Sequence, residues 1–350
     1  MIIAFINPAL VFDINTPYQN PLGGSESAMC YLAEHLARLG HKVILLTRLS
    51  QKSTKRGVIC IPLDKITNDI LVSLDILVVQ NSPLQGIKIK KYLHPKTKLV
   101  LWTQHAHDQP AVSPLANPLI QQLFDAFVLI SQWQLDSYIS SFKLPKNKCT
   151  ILHNAVSPAF ENLIFKKTLP PILVYTSTPF RGLDLLIRLF PSIRKAIPGI
   201  TLRIYSSMQV YQTPKELEQK DYGDLYRLCG ETEGVEYKGS ISQSKLAKEL
   251  RAVSILAYPN TFAETSCISV MEAMAAGCQV ITSDLGALPE TTAGFANLIP
   301  MNPNYSQNFI DATIAALENP TDRSKQVAFA NRNYTWTKRA LEWHRFLTKI

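Results

Sequence analysis

The sequence predicts an α/β protein in two halves, each a parallel sheet with crossover helices, and three observations carry that reading. Short apolar runs alternate with amphipathic stretches from Ile2 to Ile130, the pattern of strands buried on both faces and joined by helices. The alternation restarts after a polar, proline-bearing stretch from Ser157 to Pro171. At 350 residues the chain is also longer than one comfortable core, which favours two domains. The expected boundaries are 1–165 for the first domain, 166–335 for the second, and 336–350 for a last helix packed back on the first.

Each element has a local reason. Ile2 to Ile6 is an unbroken apolar run of strand length, and Glu26 to Leu39 has helical spacing. Gly40 stands just past that helix as a C′ residue and feeds the strand Lys42 to Thr47, giving one βαβ unit. Strands at Ile76 to Val79, Lys98 to Trp102 and Ala126 to Ile130 extend the sheet. In the second half, strands are expected at Ile172 to Tyr175, Thr201 to Tyr205, Ser254 to Tyr258 and Gln279 to Thr282, with helices at Leu183 to Ile197 and Cys267 to Ala276. Trp336, Ala340, Trp343 and Leu347 fall on one helical face at the chain end.

Composition excludes several classes. A hydrophobic fraction of 46% with 18% charged residues is globular rather than disordered. No window reaches the ~18 apolar residues of a spanning helix, and no basic leader precedes Ile2, so a cytoplasmic protein is expected. Cys30, Cys60, Cys149, Cys229, Cys267 and Cys278 lack C-x-x-C spacing, which argues for buried thiols rather than disulfides or zinc. The net charge of +9 is uneven. Lys52, Lys55 and Arg56, then Lys88, Lys90, Lys91, Lys96 and Lys98, suit an anionic membrane surface at the inner face, a phosphate-bearing acceptor or a simple solvated face. No stacking motif or nucleic-acid signature accompanies them, so no nucleic-acid partner is expected.

Two segments carry chemistry. Leu22-Gly23-Gly24-Ser25-Glu26 precedes the first helix, where backbone amides can approach a phosphate; a loop turn with Ser25 as N-cap is the plainer alternative. The dinucleotide G-x-G-x-x-G and the P-loop are both absent. From Phe262 to Gly277, Glu264 precedes a helix and Glu272 rides on it, with Thr265, Ser266, Cys267 and Ile268 at the helix start, a natural diphosphate cradle. Solvated acids near a helix start are the alternative.

Glu264-x7-Glu272, with Ala273 to Gly277, Val280 to Asp284 and Pro289-Glu290, resembles the donor-site signature of the GT-B retaining glycosyltransferases of family 4. The likeness reaches the first half through Gly23 to Glu26, Gly40 to Val43 and His153 to Val156. It implies two Rossmann-like domains facing across a cleft, the acceptor held mainly by the first and a nucleoside diphosphate sugar mainly by the second. It also implies transfer to an acceptor hydroxyl with retention, with neither metal nor other cofactor, toward a glycan, a lipid-linked acceptor or a cell-surface polysaccharide precursor.

By position, Glu272 resembles the residue that holds the ribose, Glu264 the one beside the donor sugar, and Arg181 the cation at the departing diphosphate. The family carries a further Arg just upstream, where this chain reads Tyr175 to Phe180 without one. His105, in Trp102 to Asp108 after a strand, matches a histidine near the donor sugar, with His107 second and Asp108 beside it. Glu290 is a further candidate on the nucleotide side. A nucleotide-sugar epimerase, a small-molecule glycoside synthase and a binding scaffold subunit are the rival functions.

Overall fold

The computed structural model describes residues 1–350 and divides into two units. The first comprises Met1–Pro17, Gly24–Ala155 and Trp336–Ile350; the second comprises Tyr18–Gly23 and Val156–Thr335.

After β1 (Ile2–Ile6) in the first unit comes α1 (Thr16–Gln19), whose residues divide between the units after Pro17, and the first unit continues with α2 (Gly24–Arg38), β2 (Lys42–Thr47), β3 (Ser53–Lys55), β4 (Val58–Pro62), α3 (Asn68–Val72), β5 (Ile76–Gln80) and α4 (Pro83–Lys90). It continues through β6 (Lys98–Trp102), α5 (Pro118–Gln122), β7 (Ala126–Leu129), α6 (Gln132–Phe142) and β8 (Cys149–Ile151). The sheet order is β3-β4-β2-β1-β5-β6-β7-β8. All pairs are parallel except β3 with β4. Ile3 to Ile6 are fully buried because β1 is central and covered on both faces. Helix α2 starts at Gly24, so Ser25 lies inside the first turn and is not its N-cap. It ends where Gly40 takes φ +87°, with Gly40 N–H bonded to Ala37 O and His41 N–H to Leu36 O.

The second unit holds β9 (Ile172–Tyr175), α7 (Leu183–Ala196), β10 (Thr201–Ile204), α8 (Lys215–Glu231), β11 (Val235–Tyr237), α9 (Gln243–Leu250) and β12 (Ile255–Tyr258). There follow α10 (Ile268–Ala275), β13 (Gln279–Ser283), α11 (Leu288–Thr292), β14 (Asn297–Ile299), α12 (Tyr305–Glu318) and α13 (Ser324–Asn333). Its six strands lie in the order β11-β10-β9-β12-β13-β14, all parallel. The last helix, α14 (Trp336–Leu347), packs on α2 in the first unit. Trp343 meets Trp102 with ring centroids 5.0 Å apart, and Trp336 lies 6.1 Å from Tyr31, so α2 is buried on two sides from Glu26 to Leu36.

The first unit ends at Ala155 rather than at 165. Val156 donates its N–H to Tyr334 O at 3.1 Å, and Phe160 is fully buried in the second core, so these residues are already committed there. The next residues run beneath that core, where Lys167 Nζ donates to Ala276 O at 2.7 Å, past the C-terminus of α10. No helix is long and apolar enough to cross a membrane. The order of strands reverses direction beside β1 and β5 in one sheet and beside β9 and β12 in the other. At such switch points, outside the carboxyl ends of the strands, open α/β sheets bind ligands.

Candidate active site

The second unit's switch point is built from the loops after β9 and β12. After β9, Thr178 O accepts the Tyr175 hydroxyl at 2.7 Å, and a 3₁₀ turn over Pro179–Arg181 leads into Gly182. Gly182 has φ +103°, and a Cβ there would lie 2.2 Å from Pro259 O, so only glycine lets the two loops approach this closely. Ser269, in the first turn of α10, donates its hydroxyl to Thr176 O at 2.6 Å. In the loop after β12, buried Asn260 accepts the Phe262 N–H at 3.0 Å. From the far side Gly286, at φ +62°, abuts the Glu264 backbone, and Ala287 N–H donates to Glu264 O at 2.7 Å.

This framework brings Arg181 onto Glu264. Arg181 Nη1 donates to the two carboxylate oxygens at 2.8 and 3.1 Å, and the Tyr258 hydroxyl donates to Glu264 Oε1 at 2.6 Å. The guanidinium carbon lies 4.7 Å from the Phe262 ring centre and 5.4 Å from that of Phe180. Burial acts against the Arg181 charge, but the adjacent Glu264 carboxylate overrides it and holds the pKa above the usual arginine range. Burial, then Glu264, push the Tyr258 phenol up, so it remains a hydrogen-bond donor. The sequence treated Arg181 and Glu264 as two separate tools, and here each is the other's partner.

Beyond Glu264 the chain enters α10. Thr265 and Cys267 are buried, whereas Ser266 and Ile268 are half-buried. Burial, followed by the Glu264 charge, raises the Cys267 thiol, so it is held as the neutral thiol. Glu272, on α10, is 3% exposed, and burial raises its carboxyl to about 8 against the opposing hydrogen bond of the Ser157 backbone. Its Oε1 has no protein hydrogen-bond partner. A buried carboxyl oxygen left in that state costs free energy and calls for a ligand donor or another explanation. Glu290 is exposed in the first turn of α11, three residues after Ala287.

The remaining candidates divide. Gly23 falls in the second unit by its contacts, and Gly24 opens α2 in the first. Below that helix start, Asn7 Nδ2 donates to Gln80 Oε1 at 2.8 Å and to Glu26 Oε1 at 3.2 Å, while Gln80 Nε2 donates to Ser25 O at 2.7 Å. His105 follows β6, and its carbonyl accepts Gln134 Nε2 at 2.8 Å and the Tyr138 hydroxyl at 2.9 Å. His105 and His107 are half-buried and Asp108 is exposed. No group of three or more His, Cys, Asp or Glu is arranged to hold a metal ion. Sequence reading missed Tyr258, Phe180, Phe262 and Gly286. Tyr258 had one available signal, as the last residue of a strand that opens onto the switch point.

The model for glycosyl transferases group 1 matches residues 170–319. Phosphatidyl-myo-inositol mannosyltransferase of Mycobacterium tuberculosis is 28% identical over 170 residues, covering 45% of this chain and 41% of that protein. The GDP-mannose-dependent alpha-(1-6)-phosphatidylinositol monomannoside mannosyltransferase of the same species is 24% identical, over 49% and 43%. These matches therefore span less than half the length of the curated relatives. Among solved structures, sucrose-phosphate synthase of Thermosynechococcus elongatus superposes with a TM-score of 0.72 at 16% identity, covering 99% and 98%. Anabaena HepE, solved with UDP and glucose, gives 0.71 at 16% identity over 100% of each chain. The fold is GT-B.

Proposed function

We propose, for a chain whose residues 170–319 form a group 1 glycosyltransferase domain, that it moves a sugar from a nucleoside diphosphate sugar to a hydroxyl of a glycan or lipid-linked acceptor, with retention. The observation that carries this is the buried Arg181–Glu264 pair at the switch point, with the unsatisfied Glu272 carboxyl on the helix that follows. A diphosphate entering beside α10 competes with Glu264 for Arg181. The exchange gives the leaving group its cation and frees the Glu264 carboxylate to accept sugar hydroxyls. Glu272 Oε1 is suited to accept a ribose hydroxyl. Two similar proteins support the donor and acceptor classes: a relative is a GDP-mannose-dependent phosphatidylinositol monomannoside mannosyltransferase, and a structural neighbour was solved with UDP and glucose. His105 enters by the family resemblance.

The test is calorimetric titration with UDP, GDP, ADP and dTDP, without and then with magnesium, on the wild type and Glu272→Gln. One preferred nucleotide, bound without metal and weakened at least about tenfold by the substitution, is the expected result; no binding by any of the four overturns the proposal. Product NMR then reads the anomeric configuration, and inversion removes the retention claim. Closure of Arg181 on Glu264, with no arginine between Tyr175 and Phe180, favours a second reading as a binding subunit. That reading requires nucleotide binding with no turnover on any acceptor.

A further inference from the structure

We propose that Lys167 and Cys278, in the second unit, form an oxidation-triggered modification site at which peroxide joins the lysine nitrogen to the cysteine sulfur as a sulfenamide. The two side chains are already in contact. Lys167 Nζ lies 3.7 Å from Cys278 Sγ, although 111 positions separate the residues. The connection that precedes β9 is laid on this unit as a strap. Lys166 N–H donates to Arg251 O at 3.0 Å, Arg251 Nε to Ile164 O at 2.7 Å, and the Thr168 hydroxyl to Ala252 O at 3.5 Å. Phe165 rests on Gly277, where an added Cβ would fall 2.8 Å from the ring. So held, the strap sends the Lys167 side chain inward, onto Ala276 O at 2.7 Å and Leu250 O at 3.4 Å, with Nζ 4.9 Å from the Phe165 ring centre.

Capping the carbonyl end of α10 explains the bond to Ala276 O but not the thiol. Carbonyls, a ring and a sulfur surround Nζ, and no carboxylate pairs with it. An ammonium held out of water without a counter-ion is destabilised, and burial pulls the Lys167 pKa down toward the neutral, nucleophilic amine against the opposing pull of Cys278. Besides the lysine, Cys278 Sγ meets Val253 O at 3.4 Å and Leu250 O at 3.7 Å, and no second thiol is among its contacts. An oxidised sulfur here therefore has one nucleophile to meet. Cys278 is fully buried, but Lys167 is only half-buried and its neighbours Lys166 and Thr168 are exposed, so the sulfur lies one side chain beneath the surface. Local opening of the strap admits a molecule as small as hydrogen peroxide.

With hydrogen peroxide as the oxidant the step balances. Sulfur gives up two electrons as the O–O bond breaks, and thiol plus peroxide become sulfenic acid plus water. The Lys167 lone pair then attacks sulfur. The N–S bond forms, the S–O bond breaks, and the departing hydroxide takes an amine proton to leave as a second water. The product ties the strap to the end of α10, the helix that carries Glu272, and closes a loop from residue 167 to 278 that restricts the unfolded chain.

The test is peptide mapping by mass spectrometry of the full chain, treated with hydrogen peroxide while native and digested after acidic residues without reductant. Expected is a peptide pair joined at residues 167 and 278, two hydrogens below the summed mass and parted again by dithiothreitol. The melting temperature rises by about 5 °C or more on oxidation and falls back on reduction. Lys167→Arg keeps a cation for the same carbonyls but offers no amine; it forms no link, shows no rise and lets Cys278 run on to the sulfinic acid. Cys229→Ser, at another buried cysteine of this unit, leaves the link unchanged. Oxidation in urea, with the two residues apart, yields no link. The proposal is overturned by a native Cys278 that stays a thiol or passes to the sulfinic acid with Lys167 free. A link that also forms in urea, or a rise that persists in Lys167→Arg, overturns it equally. The mass readout needs no sugar donor, so its failure and that of the transferase reading are seen separately.

Discussion

At the carboxyl ends of β1 and β5 the first unit keeps its polar groups bonded to one another, whereas at the ends of β9 and β12 the second unit concentrates charge and leaves part of it open. Asn7, Gln80 and Glu26 form a closed chain under the start of α2. Burial raises the Glu26 carboxyl against its own backbone and Asn7 hydrogen bonds, which shifts it toward the neutral form. Around β12, Arg181 and Glu264 face each other as full charges between two phenylalanines, and Glu272 keeps an oxygen without a partner. One topology thus supports two kinds of crevice. A satisfied network fixes backbone, while a buried ion pair beside an unpartnered carboxyl is the kind of perturbed cluster found where chemistry is done.

The largest break in this comparison comes from Arg181→Leu. It should lower turnover of the preferred donor about 10²- to 10³-fold and, by stranding buried Glu264, cost roughly 3 kcal/mol of stability in urea unfolding. Unchanged turnover would make the pair purely structural. Next in size is Gly182→Ala, expected to cost about 3 kcal/mol because strain at positive φ adds to the clash with Pro259 O. Gly294→Ala, at φ +82° in open space, should cost about 1 kcal/mol. Equal costs would show that the two loops are not held together as described.

Titration sharpens the contrast further. Burial pushes the Glu272 carboxyl up to about 8, well above the ordinary glutamate range. Its contribution to stability is therefore complete below the unfolded pKa and is lost as pH rises through the folded one. Glu272→Gln, which cannot ionise, should match the wild type near pH 4.5 and exceed it by several kcal/mol, about 5 at most, at pH 9. Glu26→Gln should shift in the same direction by less, since Asn7 already supports that carboxylate. A larger gain at Glu26 would invert the comparison. The smallest expected effect is Asn7→Ala, about 1 kcal/mol or slightly more from the amide bonds lost at Gln80 and Glu26, with little change in nucleotide binding by the second unit.

Central elements were readable because their cause is local. Ile2–Ile6, Lys42–Thr47, Lys98–Trp102 and Ile172–Tyr175 are apolar runs buried on both faces, and the helical face of Trp336, Ala340, Trp343 and Leu347 is the face α14 buries, together with Arg339. The short strands β3, β8, β11 and β14 escaped because they are three residues long, contain partly exposed positions and carry little alternation. The boundary at 155 escaped for another reason. The polar stretch marks a break in periodicity, but which core claims Val156 and Phe160 is settled by packing.

The candidate site divides along the same line. Glu264 and Glu272 stand eight positions apart, and their placement before and on one helix follows from that spacing alone. Arg181 and Glu264 are 83 positions apart. They meet because β9 and β12 pair side by side, because Gly182 and Gly286 have no Cβ to keep the loops apart, and because Tyr258 and the two phenylalanines close around the charges. Periodicity and motif spacing are properties of neighbouring residues and survive in the bare sequence. The coupling of two charges in a low-dielectric crevice depends on distances that only the folded sheet creates.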